Sequence, residues 1–221
     1  RCSRDWSSDV CSSDLEIGKV KKNMKIDFIL EDMESLLAES LEGAERVRRI
    51  VQDLKSFSHV DEAQWKPINL NENLDSTLNM VRNEIKYVAD VVREYGEIPP
   101  VTCRPQQINQ VFMNILVNAA HAIEGHGTIT VSTRQEQDQV WVLISDTGKG
   151  IAPEHLNRIF EPFFTTKDVG KGTGLGLSIC YEIIHKHAGE ISVASTPGAG
   201  TTFTVKLPIV PPPEVVSAEV G

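Results

Sequence analysis

Apolar positions between Ile26 and Phe57 recur at a spacing of seven. Ile26, Met33, Val47 and Leu54 share one position, Ile29, Leu36, Ile50 and Phe57 a second, and Leu30, Leu37, Ala44 and Val51 a third. Three apolar positions in seven make a broad stripe, so the pattern predicts one helix over about 27–58 built for a bundle rather than a narrow two-position seam. Ser40 and Gly43 fall on the same face and loosen its middle. The opposite side carries Glu42 before Arg46 and Glu45 before Arg49, ion pairs in the favourable order. At 1.5 Å per residue the helix is roughly 48 Å long. It cannot bury its stripe alone, so a second helix, a second copy of the chain, or both must cover it.

After Ser58 the period is lost, and a polar connection from Asp61 to Pro67 follows. Beyond it the pattern predicts helix 70–84, strand 87–94, helix 104–124, strands 127–134 and 139–145, a loop region with short helical turns to 173, helix 174–187, and strands 190–195 and 201–207. Pro105 suits a first helical turn, and Thr128–Thr133 and Thr202–Leu207 alternate with period two. Helices interleaved with strand pairs predict an α/β two-layer sandwich, a mixed sheet with helices on one face, preceded by the long bundle helix. The domains expected are a partial helical domain over 16–60, a compact domain over 68–210 and a flexible tail over 211–221.

Residues 1–15, RCSRDWSSDVCSSDL, fit neither helical nor alternating patterns and lack the charged start and apolar stretch of a secretory signal. The tract resembles sequencing-adapter DNA translated in frame, which sets the first native residue at about Glu16 and makes the chain a fragment of a longer protein. The 221 residues are 40% hydrophobic and 24% charged, an ordinary globular composition without an apolar run long enough to span a bilayer. A net charge of -9 argues against a nucleic-acid-coating surface. Cys103 and Cys180 stand alone without ligand spacing and read as reduced thiols, which with the missing export signal predicts a cytoplasmic location and no membrane contact by this chain.

Three stretches could carry chemistry. Asp146-Thr147-Gly148-Lys149-Gly150 follows a predicted strand directly, placing a carboxylate at the strand end and glycines where backbone can approach a ligand; alone, it reads equally well as a plain turn. Gly170, Gly172, Gly174 and Gly176 alternate just before a helix, which suits an anion held by free backbone N–H groups, although no GK[ST] closes the loop. Gln110, Asn114 and Asn118 recur every four residues along an otherwise apolar helix, either meeting a ligand or bonding within the fold.

Together these blocks resemble sensor histidine kinases. Gln110–Ile123 resembles the family's N box, DTGKGI its G1 box, FEPFFTT its F box and GKGTGLGL its G2 box, in the family's order, over about residues 68–210. LEGAERVRRIVQDLKSFSH resembles the second helix of the dimerisation and phosphotransfer domain in the subgroup similar to the nitrogen-regulation sensors. The resemblance implies the Bergerat ATP-binding fold, shared with gyrase, Hsp90 and MutL. It implies ATP and Mg²⁺ as ligands, a homodimer through a helical hairpin, and a response regulator as partner. Asn118 would ligate Mg²⁺, and Asn114 would help hold the phosphate end. Asp146 would accept from the adenine amino group, with Gly148 and Gly150 closing the turn on the base. Lys167, Gly170, Gly172, Gly174, Leu175 and Gly176 would line the phosphates, and Lys171 could add charge there. Phe160, Phe163 and Phe164 would anchor the ATP lid. Thr201 and Thr202 would bring a hydroxyl near the adenine, and Thr202 is the one assigned to the site. His121, three residues past Asn118, either faces phosphate or packs on the surface.

ATP-hydrolysing members of the fold carry a Glu four residues before the metal-binding Asn. Here Asn114 stands there, an amide unable to serve as general base, which favours phosphoryl transfer over hydrolysis. The family's phosphoacceptor is a His followed by an acid on the first hairpin helix. None of the six histidines fits that pattern, His59 included, so the chain alone is expected to lack autokinase activity. Two alternatives remain: a serine-protein kinase of the same fold, as in anti-sigma factor kinases, and a non-catalytic nucleotide-binding interaction module.

Overall fold

A computed structural model of the protein describes residues 26–58, 64–167 and 172–213. Two units are distinguished, one ending at Arg49 and the other beginning at Ile50. Helix α1, Ile26–Ser58, runs unbroken through the stretch where the heptad pattern predicts it. Its described apolar side chains, among them Leu36, Leu37 and Val47, are exposed. The predicted Glu42–Arg46 and Glu45–Arg49 pairs lie outside the described side chains, as do residues 1–15 and His59. No described helix is long and apolar enough to cross a membrane.

The second unit is built around a five-stranded sheet in the order β2-β4-β5-β7-β6, where β2 is Ala89–Tyr95, β4 Gly127–Glu136, β5 Gln139–Asp146, β6 Glu190–Thr196 and β7 Gly200–Pro208. β2 runs parallel to β4, and every other neighbour is antiparallel. The sheet is therefore mixed, as predicted. A parallel pair requires a crossover, and helix α4, Pro105–Ala122, supplies it between β2 and β4. Val140, Val142 and Ile144 of β5 and Phe203, Val205 and Leu207 of β7 point to one buried face. That face packs under α4, through Ile108, Phe112 and Ile115, and under α6, Gly176–Lys186, through Ile179, Ile183 and Ile184. On the other face Trp141 lies between the Arg134 and Lys206 cations.

Three departures from the predicted elements have local causes. The helix predicted over 70–84 is two, α2 (Leu70–Met80) and α3 (Arg82–Ile85), because Val81 at φ -90°, ψ 8° leaves the helical region. Short strands β1 (Lys66–Ile68) and β3 (Val101–Cys103) pair antiparallel and were not predicted, since three residues are too few for alternation to register. Helix α5, Pro153–Leu156, is one of the short helical turns expected in the loop region to 173. The helix predicted from 174 begins at Gly176, because Gly174 has φ +68°. Cys103 and Cys180 are buried free thiols whose pKa values burial pushes up to about 12, leaving them unreactive.

Candidate functional site

Asp146 ends β5 on its buried face, 5% exposed. Its Oδ1 accepts from the Gly148 backbone N–H at 2.8 Å, and the Thr201 backbone N–H also donates to the carboxylate. Burial nevertheless outweighs these bonds and raises its pKa above the ordinary carboxylate value. The turn that follows abuts the end of α4: Lys149 N–H donates to the Ala122 carbonyl at 2.9 Å. A Cβ on Gly148 would sit 2.5 Å from that carbonyl oxygen, so only glycine lets the turn lie there. On its other side Gly198 N–H donates to Lys149 O at 2.8 Å and Ile151 N–H to Ser195 Oγ at 2.8 Å. Gly150, at φ +71°, makes the turn possible. The carboxylate is thus held between the end of α4 and the β6–β7 hairpin.

The amide face of α4 leads away from this turn. Asn114 Nδ2 donates to Gly176 O at 3.1 Å, joining the middle of α4 to the start of α6. One turn on, Asn118 Oδ1 accepts from Lys167 Nζ at 3.3 Å, and Lys167 Nζ also lies 3.0 Å from His121 Nδ1. An ammonium can only donate, so the ring is neutral with its proton on Nε2. Burial lowers the pKa of His121, with the Lys167 charge acting in the same direction and Glu84 against it. Burial and then Lys149 lower that of Lys167. Lys167, with Lys149 near enough to lower its pKa, therefore stands against the oxygen of Asn118 beside a neutral His121, an arrangement suited to an anion. Among the described residues no cluster of three or more His, Cys, Asp or Glu side chains could hold a metal. A cation bound at Asn118 would draw its remaining oxygens from phosphate and water, the ligation Mg²⁺ favours.

Helix α6 completes the site. Its N-cap, Leu175, makes no side-chain capping bond, so the first N–H groups of the helix lack that partner and the positive end of the dipole faces the glycine stretch. Gly174 is tied to the FEPFF segment, its carbonyl accepting from Phe163 N–H at 2.9 Å, and a Cβ there would strike the Phe163 backbone. Phe160 and Phe164 pack against the core, whereas Phe163 is 69% exposed. Gly172 lies against Thr165 and Lys167. Gly170 and Lys171, also predicted for the phosphate end, lie outside the described residues.

The strand register separates Thr201 from Thr202, both of which are expected to start the last strand near the adenine. Thr201 pairs directly with Asp146 and shares its face, while Thr202 pairs with Ser145 and hydrogen-bonds it at 2.8 Å on the opposite face. A shift of one residue in a strand reverses the face, so Thr201, 4% exposed, takes the place beside the carboxylate. Ser195 and the Ala122 carbonyl also belong to the site and had no signal in the sequence, because hydroxyls and carbonyls become specific only through tertiary contacts.

Comparison with known proteins places this geometry. Residues 103–211 match the family described as histidine kinase-, DNA gyrase B-, and HSP90-like ATPase. The chain is 39% identical over 174 residues to the signal transduction histidine-protein kinase AtoS of Escherichia coli, covering 77% of this chain and 28% of AtoS. It is 38% identical over 181 residues to sporulation kinase E of Bacillus subtilis, covering 81% of this chain and 23% of that protein. The chain thus spans less than a third of either relative. Among solved structures, the catalytic domain of histidine kinase ThkA superposes with TM-score 0.61 at 32% identity, over 67% of this chain and 97% of that domain. ThkA in complex with the response regulator protein TrrA superposes at 0.63 with 29% identity, over 75% of this chain and 48% of that one.

Proposed function

Because the chain belongs to the histidine kinase-, DNA gyrase B- and HSP90-like ATPase family, and within it to the histidine kinase catalytic domains, we propose that it binds ATP with Mg²⁺ and transfers the γ-phosphoryl group to a histidine on a helix that pairs with α1. The observation that carries the choice of transfer over hydrolysis is Asn114. It stands one turn before Asn118, carries no proton-accepting group, and has its amide engaged with Gly176 O at 3.1 Å. No base is offered to water from that position.

The other residues divide the work. Asp146 accepts from the exocyclic amine of adenine, and Gly148 keeps the turn close enough to α4 for the base to lie beside it. The N–H groups opening α6 and the Lys167 ammonium hold the phosphates, with His121 setting where Lys167 rests when they are absent. Asn118 Oδ1 is the protein oxygen available to Mg²⁺, which when bound neutralises phosphate charge. In the transfer the bond from γ-phosphorus to the β–γ bridging oxygen breaks, a bond to imidazole nitrogen forms, and ADP leaves. The exposed apolar stripe of α1 supports a helical hairpin that dimerises into a four-helix bundle. The complex between ThkA and its response regulator supports a receiver aspartate as the next acceptor.

The test follows radiolabel from γ-labelled ATP. A chain extended upstream to include a helix bearing a histidine followed by an acid should take up acid-labile label, as a phosphoramidate does. Its N118A variant should take up none while keeping its dimer mass, and the 221-residue chain should stay unlabelled. Equal labelling of the 221-residue chain and the extended chain would contradict the proposal.

A further inference from the structure

Ser195 lies on β6, next to the β7 residue that shares a face with Asp146. Its hydroxyl has three neighbours: Ile151 N at 2.8 Å, Gly200 O at 2.9 Å and Thr201 Oγ1 at 3.0 Å. Counting protons fixes the direction of each bond. A backbone N–H can only donate and a carbonyl can only accept, so Ser195 accepts from Ile151 and gives its single proton to Gly200. The third contact then requires the Thr201 hydroxyl to donate to the remaining lone pair of Ser195. Thr201 has no second proton, so toward the rest of its surroundings its oxygen can only accept.

We infer that Ser195 is a positioning residue for base selection: by accepting the hydrogen bond of the Thr201 hydroxyl it leaves Thr201 Oγ1 and the Asp146 carboxylate as two acceptors on one face. The inference rests on the adenine assignment made above. Two acceptors and no hydroxyl donor suit a base edge carrying a primary amine. They reject a base with a carbonyl at that position, whose lone pairs would meet only lone pairs. Without Ser195 the Thr201 hydroxyl is free to rotate and donate to such a carbonyl, which relaxes the discrimination. The same serine ties the Gly148–Gly150 turn to the β6–β7 hairpin through Ile151, so turn and hydroxyl are set together.

The test compares ADP with inosine diphosphate, which differs in carrying a carbonyl in place of the amine and a proton on the adjacent ring nitrogen. Calorimetric titrations are run on wild type, S195A, T201V and the double variant. Wild type should prefer ADP, and S195A should lower the ADP-to-inosine-diphosphate affinity ratio by about fivefold, the size of one hydrogen bond. In the T201V background, adding S195A should leave the ratio where T201V put it. If S195A weakens both nucleotides equally and the ratio stays at the wild-type value, Ser195 is only structural and the inference fails. Should S195A not fold, S195C keeps the size with a poorer acceptor and should shift the ratio in the same direction; an unchanged ratio there also overturns it. A wild-type protein that binds both nucleotides equally overturns the adenine assignment itself.

Discussion

Asp146 is under two opposed electrostatic demands. Burial favours its neutral form, yet an acceptor for an amine works best ionised, and the Gly148 and Thr201 N–H groups compensate the burial only in part. Its folded pKa is raised, so its contribution to stability is present below the unfolded value and is lost as pH rises through the folded one. Nucleotide binding runs the other way. ADP affinity is expected to fall on acidification, beginning above the range of an ordinary carboxylate, and D146A should lack that part of the pH dependence. Titration of ADP from about pH 7 to about pH 4.5 checks this, and an affinity that is flat in wild type would contradict it. Asp146, Asn114 and Asn118 could be singled out in the sequence as candidates because their side-chain types and spacing point to a chemistry, and the structure gives their local partners. Which of Thr201 and Thr202 shares a face with Asp146 was not legible because face depends on strand register, and Ser195 was invisible because a lone serine near a strand end has many ordinary uses.

At the level of elements, two side-chain staples hold α4 against α6. Asn114 reaches Gly176 at the start of α6. His187, just past its end, donates through Nδ1 to Ile183 O at 2.7 Å and accepts at Nε2 from Arg104 N at 3.1 Å, where α4 begins. Buried to 2% exposure, its pKa is lowered from 6.5 to about 4, chiefly by desolvation. A depressed folded pKa gives stability that is present above the unfolded value and lost as pH falls through the folded one. The domain should therefore lose about 3 kcal/mol as pH falls from about 6.5 to below about 4. Denaturant unfolding across that window measures it, and H187A should start lower at neutral pH and lose this part of the slope. A wild-type slope retained in H187A would show that another group titrates. The long helices were readable because their apolar period spans several turns. β1 and β3 were not, since a three-residue strand shows no period, and the break at Val81 follows from backbone angles that the sequence around it does not signal.

For the molecule as a whole, a net charge of -9 would oppose a triphosphate, and in the function proposed above the Lys167 ammonium and the opening of α6 answer it locally, while the oxygen of Asn118 is left to a cation. The sheet supplies the frame: β5 delivers the carboxylate, β7 its hydroxyl neighbour, and α4 carries the amides along the same edge. The described stripe of α1 is exposed, and in the function proposed above it is covered by a partner helix that brings the histidine. All of this depends on an adenine nucleotide being read by Asp146. The most direct measurement is calorimetric titration of ATP and GTP, each with Mg²⁺, into wild type and D146A. Wild type should bind ATP more tightly than GTP, and D146A should lose about tenfold or more of the ATP affinity, as expected for a hydrogen bond to a charged group. Equal affinity for ATP and GTP in the wild type, or an ATP affinity untouched in D146A, would contradict the account.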